Sequence, residues 1–189
     1  MTATGHAEPT SFPPAIAAHN ALDAAQWGMV TFLVSEAALF GTLLMTYVTF
    51  MGTDTVAPTP REALSLPLVI GMTVCLLSSS ATIHFAESAA RASHSKRFCL
   101  WWSATILLGA AFIAGTAYEW HDLIEKHDLT ISRNLFGSTY YTVVGFHGLH
   151  VTIGILVMLV VLGLVLSSRL ASVGHRALQL VSWYWHFVD

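Results

Sequence analysis

Four long stretches of this chain carry almost no charge. Between Asp23 and Asp54 the only Asp, Glu, Lys or Arg is Glu36, and none lies between Glu62 and Glu87. The same holds from Arg97 to Glu119 and from Arg133 to Arg169. An α-helix crosses the roughly 30 Å hydrocarbon core of a bilayer in about 20 residues. The stretches therefore predict membrane spans near 26–50, 65–86, 97–119 and 139–167. Overall, 54% of the 189 residues are hydrophobic and 10% charged, against about a quarter charged in soluble domains. The fold class expected is all-α: a multi-pass transmembrane helical bundle with four complete spans and the start of a fifth. That fifth segment, ALQLVSWYWHFVD (177–189), covers about 20 Å as helix, too little to cross. It reads as the first part of a longer natural span. Residues 1–25 read as a polar amino-terminal tail and 26–189 as one membrane domain.

The tail has no Lys or Arg, so neither a secretory n-region nor an arginine-rich transit peptide is expected. Pro9, Pro13 and Pro14 point to an extended lead-in. With a net charge of −3 and no basic run, nucleic acid is not an expected partner. Cys75 falls mid-way through one apolar run and Cys99 opens the next, at depths about 15 Å apart, so free thiols are expected rather than a disulfide. Counting Lys and Arg by side sets Arg91, Lys96, Arg97, Arg169 and Arg176 against Arg61, Lys126 and Arg133. The larger group lies on the side of the amino terminus, which is thereby predicted cytoplasmic. Glu119, Asp122, Glu125 and Asp128 gather in the loop predicted on the other side, an acidic run that reads first as a solvated surface and second as one that meets a basic partner. Ala110 with Ala114, Gly41 with Met45 flanked by Thr42 and Thr46, and Gly145 with Gly148 place small residues at helix-packing spacing.

Glu36 is the leading candidate for chemistry. It lies about ten residues into the first span, where an ionised carboxylate costs about 3 kcal/mol on insertion scales. It must be protonated, hydrogen-bonded or paired, either as a proton-handling site or as a neutral acid joining two helices. His150 in the fourth span and His186 in the fifth segment fall at a similar depth, and His150 is the preferred partner. His147 and His150, in GFHGLH, share a helical face. Such spacing can serve a metal or haem, but His84, near the end of the second span, and the solitary His186 leave the pattern incomplete. Hydrogen-bonded interhelical histidines are the better reading. Glu119 and His121, in AYEWHDLI, lie on different faces. Trp101, Trp102, Trp120, Tyr140, Tyr141, Trp183, Tyr184 and Trp185 gather near span ends and suggest an aromatic belt. There is no CxxC, phosphate-binding glycine loop, HExxH or Ser–His–Asp set. The inventory points to a helper within a complex rather than an independent enzyme.

Several stretches carry a family resemblance. GSTYYTVVGFHGLHVTIG (137–154) and WYWHFVD (183–189) resemble the signature stretches of subunit III of haem–copper terminal oxidases. LVSEAALF around Glu36 and AYEWHDLI around Glu119 are similar to two further motifs of that family. Order and spacing agree from about residue 26 to the end, with the second span, ATIHFAES, departing most. The resemblance implies the short five-helix bacterial form in an inner membrane, with a last helix continuing beyond YWHFVD. It implies a non-catalytic subunit of a proton-pumping oxidase of aerobic respiration, with no cofactor of its own: haem and copper reside in subunits I and II. It further implies a role in bracing subunit I, contacting subunit II, binding phospholipid and sustaining proton uptake and catalytic lifetime. A cytochrome c or another respiratory complex would be a further partner. By position, Glu36 matches the family's buried glutamate and His150 a histidine of GFHGLH that bonds to it. His147, Glu119, His186 and Asp189 fall on other motif positions. Glutamate rather than aspartate at position 36, with GFHGLH and YWHFVD, is nearer to cytochrome c oxidases than to quinol oxidases or nitric-oxide-reductase-associated homologues. From other classes, a dihaem electron-transfer bundle and an independent transporter are the competing readings.

Overall fold

A computed structural model describes residues 22–50, 65–132, 135–167 and 174–189. Arg61, Arg133 and Arg169, used above to orient the chain, lie outside the described residues, as does most of the amino-terminal tail. Five helices follow in order: α1 (Ala24–Phe50), α2 (Leu66–Arg91), α3 (Ser95–His127), α4 (Leu135–Leu166) and α5 (His175–Val188). The first four are long and apolar enough to cross a membrane, and the protein is a multi-pass membrane protein. Successive helices alternate in direction, so Asp23, Arg91, Ser95 and His175 mark one end of the bundle. The turn of α3 into α4 lies at the other.

The ends are built by local chemistry. At the start of α1, Asp23 Oδ1 accepts the Gln26 N–H at 2.8 Å while Gln26 Oε1 accepts the Asp23 N–H at 3.1 Å, a reciprocal capping box. Pro67 stands in the first turn of α2, where a missing N–H is harmless. Only Ala92, Ser93 and His94 separate α2 from α3. Ser93 takes a left-handed φ of 56°, and the His94 N–H closes back on Ala89 O at 2.9 Å. Beyond α3, Asp128 is also left-handed, with φ 49°.

Two of the predicted span ends move outward by five residues or more. α2 runs to Arg91 rather than stopping near 86, and α3 continues past Glu119 to His127. Charged residues end the hydrocarbon passage, not the helix. Outside the bilayer they support it through i,i+4 pairs, here Glu87–Arg91, His121–Glu125 and Asp122–Lys126. His84 is accordingly two turns from the end of α2. The acidic cluster predicted as a loop instead lies mostly on the last turns of α3. Asp122 pairs with Lys126 there, Glu125 meets His121 and Glu119 is buried, so the four carboxylates do not form one free acidic surface.

α2 and α3 form a tight antiparallel pair, α4 packs on α3, and α1 rests on α4 and α5. The α3 core stripe is Phe98, Trp102, Thr105, Gly109, Phe112, Thr116, Glu119 and Leu123, an alternation of four and three that keeps one face inward. No residue of α1 is fully buried; it touches the bundle through the stripe Gln26, Met29, Leu33, Glu36, Phe40, Leu43 and Tyr47.

α5 enters the middle of the bundle and wedges Trp185 between α2, α3 and α4. A Cβ added at Gly109 would meet the indole at 2.7 Å, and one at Gly154 would meet it at 2.8 Å. The indole N–H donates to Ser79 Oγ at 2.9 Å. Trp102, fully buried, donates to Met158 O at 2.9 Å. The aromatic belt is therefore corrected for Trp102, Tyr140, Tyr141, Tyr184 and Trp185, all buried in the core. Their polar atoms find partners inside the protein, so no water boundary is needed. Trp120 also turns inward, 5.2 Å from the Tyr141 ring. The small-residue stripes change too: Ala110 and Ala114 face outward, Gly41 meets nothing within 4 Å, and close approach is made by Gly109, Gly115 and Gly154.

Gly154→Ala is expected to lower stability by about 1–3 kcal/mol through overpacking against a rigid indole, while Gly41→Ala is neutral. Thermal unfolding of the two variants in detergent checks the contrast.

Candidate functional site

Glu36 on α1 and His150 on α4 meet where the two helices cross. His150 Nε2 lies 2.9 Å from Glu36 Oε2, and the side chains are 11% and 16% exposed respectively. The other ring nitrogen, Nδ1, lies 2.6 Å from the Phe146 carbonyl oxygen. A carbonyl only accepts, so Nδ1 carries a proton. The Nε2···Oε2 bond then needs one proton of its own, held either on the carboxyl or on the ring. In both forms the pair carries no net charge, which lowers the cost of burying it in hydrocarbon relative to a lone carboxylate. It can hold one proton and pass it across a single hydrogen bond.

Neighbouring groups fix the pair in place. Tyr184 on α5 donates its hydroxyl to His150 O at 2.9 Å, and its ring stacks on Phe32 of α1 at 6.2 Å. Phe40 meets the His150 ring edge-on at 5.1 Å. On one side, Glu36 and His150 line an open groove of about 500 Å³ between α1 and α4. Its other walls, among them Phe32, Leu39, Leu149, Ile153 and Val157, are apolar. On the other side a smaller cavity of about 230 Å³ is lined by Phe40, His147, His150 and Phe187. His147 packs edge-on against Phe112 at 5.2 Å.

The remaining candidates lie elsewhere. His186 accompanies not Glu36 but Ser80 of α2, with Nδ1 2.9 Å from Ser80 Oγ. Asp189 accepts Ser79 Oγ at 3.2 Å and Ser80 Oγ at 2.9 Å. Glu119 is buried at the far end of α3, where Oε2 accepts the Tyr140 hydroxyl at 3.1 Å. Among the described residues, no three His, Cys, Asp or Glu side chains converge as a metal-binding set, and the nitrogens of His150 are both engaged. Sequence reading missed Ser79, Ser80 and Tyr184. The run Ser78–Ser79–Ser80 in the middle of an apolar span was the available signal for the serines; nothing marked Tyr184 apart from a belt tyrosine.

The model of the family described as cytochrome c oxidase subunit III matches residues 16–189. The chain belongs to that family. A cytochrome c oxidase subunit 3 of Corynebacterium diphtheriae is 36% identical over 94% of this chain and 87% of its own length. One from a Synechocystis strain is 35% identical over 90% and 72%. The subunit 3 of a cytochrome bo(3) ubiquinol oxidase from Pseudomonas aeruginosa is 33% identical over 91% and 82%. As subunit III of a haem–copper oxidase, the chain is part of an oxidoreductase complex and associates with its other subunits.

The pair should behave as a unit. His150→Leu and Glu36→Leu each strand a polar partner and are expected to cost more than the double variant, whose two leucines suit the apolar walls. A double-mutant cycle on thermal unfolding of the purified oxidase reads the coupling, about 1–3 kcal/mol for a charge-assisted bond. Strictly additive losses would contradict the pairing.

Proposed function

We propose that this chain is a non-redox, non-catalytic structural subunit that steadies the oxidase's catalytic subunit I, holds phospholipid in the α1–α4 groove and sustains proton uptake. The observation that carries this reading is the neutral Glu36–His150 pair set in the wall of an otherwise apolar groove. A groove of that size and lining accommodates acyl chains, held by van der Waals fit rather than by removal of apolar surface from water. The pair ties α1 to α4 at the depth where no water competes, so the groove keeps its shape although α1 is only lightly packed. His147, His186, Glu119 and Asp189 bond or pack between helices in this reading. None is assigned a chemical step. Haem and copper belong to subunits I and II, and subunit II is a further neighbour.

The chain is proposed to reside in a bacterial inner membrane with its amino terminus in the cytoplasm. Arg91, Lys96, Arg97 and Arg176 on the amino-terminal side support that orientation. Cytochrome c is the proposed electron donor, in keeping with the names of two relatives above. The Pseudomonas aeruginosa relative favours quinol instead. Oxygen uptake by the purified complex with reduced cytochrome c or with a quinol separates these, and activity with quinol alone would reverse the assignment.

Glu36→Ala removes the tie and exposes His150 to the groove. The expected result is an oxidase whose active lifetime falls several-fold and which retains less phospholipid, with initial turnover falling much less. Unchanged lifetime and unchanged lipid content would overturn the role given to the groove.

A further inference from the structure

The outward faces of the bundle differ in one respect that bears on assembly. Over α1, α3 and α4 the outward side chains within the membrane are mainly apolar, for example Leu44, Leu107 and Val160. The hydroxyls among them bond back to their own helix, as Thr31 does to Trp27 O and Thr46 to Thr42 O. Such faces suit lipid. The face where α2 meets α5 does not: His84 and His186 are both exposed there. His186 binds Ser80 through Nδ1, and the His84 ring lies edge-on to the Phe85 ring, 6.3 Å between centroids.

Both histidines lie inside the span. His84 is three residues from Glu87, where α2 leaves the hydrocarbon, about 5 Å along the helix, and seven from Arg91 at the helix end. His186 is eleven residues from His175 at the same end of the bundle, about 16 Å. Ser80, its partner, is also eleven residues from Arg91, so the two helices agree on the depth. With a hydrocarbon half-thickness of about 15 Å, both rings fall where lipid supplies no hydrogen bond. Ionisable side chains at such depth face protein or enclosed water rather than acyl chains.

We infer that the α2–α5 face, centred on His84 and His186, is the surface on which a transmembrane helix of another oxidase subunit docks. The occupant's chemistry follows from the geometry. The two rings differ in depth by about 6 Å, close to one helical turn. The docking helix therefore presents two hydrogen-bonding side chains four residues apart, such as Ser, Thr, Asn or a neutral acid, within an otherwise apolar surface. α5 passes the level of His84 and runs on toward Asp189 without covering it. This inference rests on the chain being an oxidase subunit and adds which face makes the contact.

The test uses the intact oxidase. A photoactivatable benzophenone side chain is placed at Ala81 or Ser88, beside His84 on the same side of α2, leaving both histidines in place. Leu107 and Val160 serve as controls. Expected are adducts from 81 and 88, identified by mass spectrometry as a transmembrane helix of another oxidase subunit, with only lipid adducts from 107 and 160. In parallel, His84→Leu with His186→Leu should lower by several-fold the fraction of oxidase that keeps this chain through a detergent wash, and His84→Gln should largely restore it. Adducts from 81 and 88 confined to lipid, to this chain or to a second copy, or none above the controls, overturn the inference, as does unchanged retention of the double variant. Failure of the unaltered chain to purify with an oxidase would instead overturn the subunit reading itself.

Discussion

The medium around the middle of this protein offers no hydrogen bonds, and most polar groups placed there find a partner on a neighbouring helix. Glu36 meets His150, and His150 passes its second N–H to the carbonyl one turn back. Trp102, Tyr184 and Trp185 each donate to an atom on another helix, and Thr82 bonds Thr105 across the α2–α3 contact at 2.8 Å. In water such bonds would exchange with solvent and contribute little. Here an unmade bond has no substitute, so each holds two helices in register.

Packing supplies the other half. The hydrophobic effect that drives soluble cores is missing between lipid-bathed helices, so association depends on close fit. Trp185 provides it: a large rigid ring enters a slot cleared by Gly109 and Gly154 and is anchored by Ser79. α1 has no comparable wedge. It lies on α4 and α5 through a single stripe, joined at its start by the Asp23–Arg176 ion pair and a 3.4 Å contact between the amides of Gln26 and Gln179. That light packing leaves the groove open, and the Glu36–His150 pair lies in its wall. Fold and site thus have one cause. The most loosely held helix carries the intramembrane acid that ties it down.

The uncharged runs located four helices because expelling charge from hydrocarbon leaves a direct trace in the order of residues. Their ends were less legible. Charge marks where the bilayer stops, and α2 and α3 run past that point on i,i+4 pairs in water. The aromatics were misread for a related reason: a tryptophan in an apolar run has the same neighbours in sequence whether its N–H reaches the headgroups or an internal acceptor. Trp185 and Trp102 took the second course. Glycines were equally mute, since Gly41 and Gly154 both sit in helical runs and only one faces an indole.

By itself, the sequence determined the all-helical membrane architecture, the depth of Glu36 and the short choice of partners for it. Those follow from the thickness of the bilayer, the helical rise and the cost of charge, which act along one dimension. The motif stretches also pointed to the family. That His150 meets Glu36 while His186 turns to Ser80 was set by the packing of the helices in three dimensions. Depth along the membrane normal is written in residue number, whereas the rotation and neighbours of each helix are set by how wedges such as Trp185 pack. Two histidines at one level are equivalent on the first count and lie on different faces of the bundle on the second.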